Sequence, residues 1–445
     1  MPHVIIVGGG FGGLSAARAL RGAPLRLTLI DKRNYHLFRP MLYQVATGLL
    51  SSDEISGPLR SILSRQENVE VLLDEVTGID ATQRIVHLQQ LQQRDLAYDF
   101  LILATGIRYN YFGHDEWRPF APGLESLDDA DIIRSKILLA FERAEALASM
   151  SQASGKDSTQ EIHRLLTFAL VGAGTVGVEM ASTLAEMSRM ALAHDFRHID
   201  PRSARILLYE AAPRILPTYP EGLSSKAHRH LESLGVEVFT NTRVTNVDSD
   251  GIIVGGQKVP AGTVLWGAGV LASPAGRWLG AETDKNGKVT VDPDLSVPGH
   301  PEVFVIGDTA HVVAPTRNLF GIKSRDPMLL PGVAQPAIQE GRFVAQIIRR
   351  RVEGRAKPKP FWYWDKGDLA IVGRTYAVAD LRFTRFAGFT AWALWVGVHI
   401  YFLIGFANRM FVLLQWGLAF LTKRRRVRVL PEESSPAQNL IKPAA

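Results

Sequence analysis

The chain has 445 residues and a formal net charge of +6, too long for one ordinary core, so two or three domains are expected. With 46% apolar and 21% charged residues it is neither a disordered nor a fibrous chain. Cysteine is absent, which removes disulfide frameworks, thiolate metal sites and any cysteine-based redox relay.

The N-terminus runs from MPH into the apolar run VIIVG with no basic region or cleavage site before it, so no secretory signal is expected. Residues 4–7 form a short β-branched strand, and Gly8, Gly10 and Gly13 then fill the pattern G-x-G-x-x-G ahead of the helical stretch LSAARAL. The first glycine makes a tight turn, the second lets backbone approach a pyrophosphate, and the third permits close helix–strand packing. The helix N-terminus offers its unpaired N–H groups to the phosphates. The next strand, LRLTLID, ends at Asp31, at the distance where a carboxylate can bond a ribose hydroxyl. Farther on, LILATG (residues 101–106) is an apolar strand closing on Ala104, Thr105 and Gly106.

The polar stretch SQASGKDSTQ (residues 151–160) reads as a linker to a second glycine box. There Gly172, Gly174 and Gly177 follow the strand TFALV, and the strand ARILLYE ends at Glu210. One such box is a weak signal. Two, each between a strand and a helix with an acid closing the following strand, are a strong one. A carboxylate at Glu210 accepts from a free 2′-hydroxyl and repels a 2′-phosphate, which favours NADH over NADPH; Arg214, four residues on, could still meet a phosphate. Glu179, in VGVEMA, reads equally well as a generic acid near a helix N-terminus. Later come VFVIGDTA (residues 303–310) with Asp308, and AQPAIQEG (residues 334–341), whose Gln335 and Gln339 share a helix face. The cluster FWYWDKG (residues 361–367) reads as core rather than a stacking platform. His36, His311 and His399 stand apart from any acid at ligand spacing, so no metal site is expected.

Residues 381–431 contain no acid but carry Arg382, Arg385, Arg409, Lys423, Arg424, Arg425, Arg426 and Arg428. Residues 386–406 are long and apolar enough to be a transmembrane candidate. Against a span, Trp392, Trp395, Trp416 and Tyr401 are dispersed rather than gathered at two ends, and Asn408 and Arg409 read as a break between two shorter helices. Interfacial attachment to an anionic membrane surface is therefore expected. Nucleic acid, the rival partner for KRRRVR, has no other support. The end of the chain, residues 431–445, reads as a disordered tail.

Taken together, the two glycine boxes, LILATG and VFVIGDTA resemble the flavoproteins with two dinucleotide-binding domains. DKRNYHLFRPMLYQVATGLL, WGAGV, LPGVAQPAIQEG and DKGDLAIVGRTYAV narrow the resemblance to type II NADH:quinone oxidoreductase. The resemblance implies an α/β fold with two Rossmann-like dinucleotide-binding domains, the NADH domain inserted in the FAD domain, and C-terminal amphipathic helices for membrane attachment. The corresponding division is residues 1–112 and 295–380 for FAD, 113–294 for NADH, 381–430 for attachment and 431–445 for the tail. The first box, with Lys32 beside Asp31, Ala104, Thr105, Gly106 and Asp308, would hold FAD. The second, with Glu210 and Gly269, would hold NADH. Gln335 and Gln339 would line the quinone site, with Lys366 beside flavin and quinone and Glu179 on the nicotinamide side. A neutral amide can donate to a quinone carbonyl without the desolvation cost of a charge.

The implied activity is non-pumping, two-electron transfer from NADH through FAD to a membrane quinone, ubiquinone or menaquinone. The implied setting is a peripheral homodimer on the cytoplasmic face of a bacterial inner membrane. Two other readings stand beside it. One is an FAD-dependent NADH reductase of a soluble protein acceptor, and the other a redox-responsive FAD/NADH-binding protein.

Overall fold

A computed structural model of the chain describes residues 1–89, 95–356, 358–422, 427, 429 and 430. The basic residues 423–426 and 428 and the tail from 431 lie outside the described residues. The chain forms two compact units. The first comprises Met1–Leu37, Ser56–Arg108 and Val270–Gly367; the second comprises Phe38–Ile55, Tyr109–Gly269 and the chain from Asp368.

In the first unit a six-stranded sheet runs in the order Ser296–Val297, His300–Val305, Phe100–Leu103, His3–Val7, Arg26–Asp31, Val69–Leu73. All neighbours are parallel except the first pair. A parallel strand is covered on both faces, which is why VIIV is a continuous apolar run and every residue of His3–Val7 is buried. The helix Phe11–Ala19 follows the first strand, and the glutamine helix Ala334–Val352 packs against it. Gly12 and Gly341 sit at that contact. A Cβ built on Gly341 would lie 2.3 Å from the Gly12 carbonyl oxygen, so the two backbones touch where no side chain intervenes.

In the second unit four parallel strands lie in the order Val236–Phe239, Arg205–Tyr209, Thr167–Val171, Thr263–Trp266. The helix Thr175–Glu186 follows the second glycine box. A longer helix, Leu127–Ser154, begins with a capping box between Ser126 and Asp129 and ends at Gly155, whose φ is 69°. The stretch expected as a linker is therefore partly helical: its first four residues extend this helix, and a second helix starts at Thr159.

Two helices close the second unit, Phe389–Phe402 and Phe406–Thr422. Among the described residues no helix is long and apolar enough to cross a membrane. The break between them falls earlier than the sequence suggests, at Leu403 and Gly405, where Leu403 is extended and Gly405 has φ 85°. Asn408 and Arg409 instead lie in the first turn of the second helix. Arg409 donates from Nε to the Leu403 carbonyl at 2.8 Å, placing a cation on a free carbonyl at the end of the preceding helix. The last helix is held on one side by polar anchors: Asn408 to the Asp53 carbonyl, Gln415 to Glu54, and the Trp416 indole N–H to Gln44 at 2.7 Å. On its other side Phe406, Met410, Phe411, Leu414 and Leu421 are all more than half exposed.

The Gly12–Gly341 contact generates a test. Alanine at a helix-interior glycine ordinarily gains about 1 kcal/mol, yet a methyl at Gly341 must push apart two backbones. Gly341→Ala is expected to lose roughly 1–3 kcal/mol in denaturant unfolding; a gain in stability would show that the contact is slack.

Candidate active site

Each glycine box folds in the same way. In the first unit the Gly8 N–H donates to the Ile30 carbonyl at 2.8 Å, and the Gly9 N–H donates to Asp31 Oδ2 at 2.6 Å. Asp31 Oδ1 accepts from the Arg33 N–H at 2.8 Å. Burial raises the Asp31 carboxyl above its usual range, and the two amides oppose that shift. Gly8 has φ 104°, and its notional Cβ would meet the Ala104 carbonyl oxygen at 2.3 Å; that of Gly13 would meet the Gly8 carbonyl oxygen at 1.9 Å. At Gly10 a Cβ would meet nothing within 4 Å, so this turn leaves open room at the N-terminus of the helix Phe11–Ala19. That cradle fits a dinucleotide pyrophosphate. Lys32 is exposed, with Nζ 3.6 Å from Glu75.

The ATG turn and the Gly307–Thr309 turn are tied together. The Gly106 N–H donates to Thr309 Oγ1 at 2.8 Å, and Thr105 Oγ1 is bonded to Ser273 Oγ. Asp308 Oδ1 lies 3.2 Å from where a Cβ on Gly332 would sit, so the breaker before the glutamine helix passes directly over it. Sequence reasoning missed Thr309, Ser273 and above all Glu340. Glu340 is almost fully buried and accepts the Gly307 N–H at Oε2 at 2.5 Å. Burial pushes its carboxyl up to about 8, with the neighbouring Asp308 adding to the rise. A carboxyl set among small and apolar residues of AQPAIQEG was the signal available.

The two glutamines part company. Gln339 forms a double hydrogen bond with the backbone of Trp364: Nε2 donates to its carbonyl at 3.0 Å, and Oε1 accepts its N–H at 2.9 Å. Its amide thus bridges backbone, as a polar side chain near a helix start commonly does. Gln335, half-buried one turn earlier, makes no side-chain hydrogen bond to the described residues. Trp364, latched by Gln339, also keeps a buried indole N–H with no partner among the described residues. Lys366 Nζ stands 5.1 Å over the Trp364 ring, and burial, then Arg342, lowers its pKa. The aromatic cluster alternates: Phe361 and Tyr363 are core, as expected, whereas Trp362 and Trp364 are half-buried beneath cations.

In the second unit the Gly172 N–H donates to the Tyr209 carbonyl at 2.8 Å, and the Ala173 N–H to Glu210 Oε2 at 2.7 Å. Glu210 Oε1 accepts from the Ala212 N–H at 2.8 Å. Gly174 is open like Gly10, and Gly177 presses on the Gly172 carbonyl as Gly13 presses on Gly8. Arg214 is committed elsewhere, donating to the carbonyls of Tyr219 at 2.6 Å and Pro217 at 2.9 Å. Two of its guanidinium nitrogens are thus already engaged by backbone carbonyls rather than facing the acid. Gly269, with φ 68°, lies against Phe112 and Asn110. Glu179 is buried in the helix Thr175–Glu186; burial raises its carboxyl well above the usual range, opposed only by the Ile371 amide. An apolar cavity of about 90 Å³ also lies in this unit, lined by Met190, Ile371, Trp392, Trp395, Trp416 and Phe420.

His36 is buried with Nδ1 on the Gly9 carbonyl at 2.9 Å, and burial lowers its pKa to about 4. No cluster of potential metal ligands occurs among the described residues.

The family described as pyridine nucleotide-disulphide oxidoreductase matches residues 2–341. That sets the class, a two-domain oxidoreductase using a pyridine nucleotide, here without cysteine. Among relatives, the type II NADH:quinone oxidoreductase NdhA of Mycobacterium tuberculosis is 42% identical over 437 residues, covering 95% of this chain and 88% of the relative. The type II NADH:quinone oxidoreductase Ndh of the same organism is 41% identical, covering 100% and 93%. The solved structure of NDH2 from Plasmodium falciparum in complex with NADH shares the fold, with a TM-score of 0.81 at 21% identity, covering 95% and 99%. The chain belongs to the type II NADH:quinone oxidoreductase family. It binds FAD and NADH and passes electrons from NADH to a quinone.

Glu340 supplies a pH test. Its folded-state pKa of about 8 lies above the ordinary 4.5, so its contribution to stability is full below about pH 4.5 and is lost as pH rises toward 8. Glu340→Gln keeps an acceptor for Gly307 and removes the titration. Near pH 5 the two proteins are expected to unfold alike, and near pH 9 the variant should be more stable by on the order of a few kcal/mol. Parallel stability profiles across this range would show that Glu340 titrates normally.

Proposed function

We propose that this oxidoreductase works as a non-pumping, peripheral enzyme on the cytoplasmic face of a bacterial inner membrane, attached by the helices Phe389–Phe402 and Phe406–Thr422 and reducing a quinone drawn from the bilayer. The observation that carries the attachment is the last helix, anchored by polar contacts on one side and exposing Phe406, Met410, Phe411, Leu414 and Leu421 on the other. Such a row, followed in sequence by KRRRVR, has the composition of an interfacial helix beside anionic headgroups. The apolar cavity under these helices supports an acceptor with a hydrocarbon tail. Assembly as a homodimer is supported by the family resemblance alone.

When bound, FAD supplies the redox chemistry, taking two electrons from NADH and passing them to the quinone. The chain supplies position and protons. Gly8, Gly10, Gly13, Asp31, Ala104, Thr105, Gly106 and Asp308 hold FAD, with Lys32 at the rim. Gly172, Gly174, Gly177, Glu210 and Gly269 hold NADH. At the quinone, the uncommitted amide of Gln335 and the indole N–H of Trp364 donate to a carbonyl oxygen. Gln339 is a positioning residue, keeping Trp364 and the following Lys366 in place through its double bond to backbone. Reducing a quinone to a quinol consumes two protons. Lys366, whose pKa burial lowers, is a group poised to release one beside the quinone, and Glu179, whose carboxyl burial raises, stands on the nicotinamide side.

The test is an anaerobic titration followed by flavin absorbance. NADH is expected to bleach the flavin, and a short-tailed quinone to restore its colour quickly. Gln335→Ala should raise the quinone KM about fivefold, the worth of one neutral hydrogen bond, with bleaching unchanged. Gln339→Ala should slow recovery and also lower unfolding stability by about 1–2 kcal/mol, because two bonds to Trp364 are lost. Bleaching without recovery would contradict quinone reduction. Equal, selective KM effects of the two variants would contradict the division between donor and positioner.

A further inference from the structure

The strands Val313–Arg317 and Lys323–Leu329 form an antiparallel hairpin in the first unit, and no step of the proposed chemistry uses it. Its tip is a hydrogen-bonded turn. The Asn318 side-chain oxygen accepts from the N–H groups of Phe320 and Ile322 at 3.1 and 3.0 Å, the Asn318 N–H donates to the Ile322 carbonyl at 2.9 Å, and Gly321 turns with φ 77°. This turn holds Phe320 and Ile322 at 68% and 67% exposure, with Leu319 at 40% beside them. Three large apolar side chains displayed together by a fixed turn are not scattered surface residues.

Directly behind the tip stands a ring of cations and indoles. Arg317 and Lys323 face each other across the two strands. Arg317 lies 5.3 Å over the Trp364 ring, Lys323 Nζ lies 5.3 Å over the Trp362 ring, and Lys366 lies on Trp364 from its own strand end. Arg325 adds a further positive charge in the sequence, against one exposed acid on the hairpin, Asp326, while Asp365 is buried. An apolar point, then tryptophans, then basic groups is the layering of a surface that enters a bilayer interface. The point reaches the acyl boundary, the indoles sit at headgroup depth and the cations meet anionic phosphates.

We propose that this hairpin is a second membrane contact, inserting Leu319, Phe320 and Ile322 into an anionic lipid surface with Arg317 and Lys323 on the headgroups. The inference rests on the peripheral attachment proposed above and adds an insertion point on the FAD-binding unit. A second protein copy is a poorer occupant. Three side chains at a turn present far less than the roughly 800 Å² per partner of a stable protein interface, whereas a bilayer accepts a small wedge.

The absence of cysteine makes the experiment direct. Phe320→Cys in the full-length flavoprotein is labelled with a nitrobenzoxadiazole fluorophore, and Met150→Cys, on an exposed helix position of the other unit, serves as control. Both are mixed with phosphatidylcholine vesicles containing about one-third phosphatidylglycerol and assayed by co-sedimentation and emission. The label at position 320 is expected to brighten and shift to the blue on vesicle binding, while the control stays unchanged. The double variant Phe320→Ser with Ile322→Ser should lower vesicle affinity about tenfold, with NADH turnover on a short-tailed quinone unaltered. Co-sedimentation with the position-320 label still in water would overturn the hairpin contact and leave the C-terminal attachment standing. A blue shift that needs no vesicles and grows with protein concentration would overturn it in favour of self-association. No co-sedimentation at all would overturn the peripheral attachment together with it.

Discussion

One hydrogen bond, made twice, organises this molecule: a carboxylate at the end of the second strand accepting an N–H from the glycine loop at the end of the first. Asp31 takes the Gly9 N–H and Glu210 takes the Ala173 N–H, at 2.6 and 2.7 Å. Parallel pairing delivers each acid to its place, since Val7 pairs with Ile30 and Val171 with Tyr209, one residue before the carboxylate in each case. With the loop held at that point, the third glycine of each box can press on the carbonyl of the first, and the second is left facing open space. The following helix starts there with its N–H groups unspent, the condition for holding a pyrophosphate.

Around these two cradles the structure prefers uncharged polar groups. Burial raises the carboxyls of Glu179 and Glu340, and it lowers the imidazole of His36 to about 4. Burial thus favours the neutral form of each of these side chains. Gln335, Gln339 and the Trp364 indole extend the same character to the glutamine helix and its neighbour. Under the proposed function such neutral donors would face the quinone without the desolvation cost of a charge, with Lys366 the charged exception beside them.

The parts of this design that depend on neighbours in sequence were legible in the sequence. Both glycine boxes, their strands and their closing acids could be read because turn, strand and helix lie within forty residues and each glycine answers a local backbone need. Other features depended on partners distant in the chain. Spacing placed Gln335 and Gln339 on one face but could not say that the Trp364 backbone, twenty-five residues on, would occupy one and not the other. Glu340 was passed over because its partner, the Gly307 amide, lies thirty-three residues upstream. Asn408 and Arg409 were read as a helix break because polar residues interrupt an apolar run. In the fold Arg409 turns back to cap the preceding helix, and Gly405 makes the break. The tryptophans of FWYWDKG read as core because the cations above them come from a hairpin that no local pattern links to them.

The most direct measurement removes the two acids separately and asks which ligand each variant loses. Asp31→Ala and Glu210→Ala are purified, their flavin content is read by absorbance, and NADH binding is measured by calorimetry. If each clamp serves its own cradle, Asp31→Ala is depleted of flavin yet still binds NADH. Glu210→Ala then keeps its flavin and binds NADH roughly 10- to 100-fold more weakly, as expected for losing a charge-assisted hydrogen bond. If both variants lose the same ligand, or neither loses any, the paired clamps do not hold the two dinucleotides.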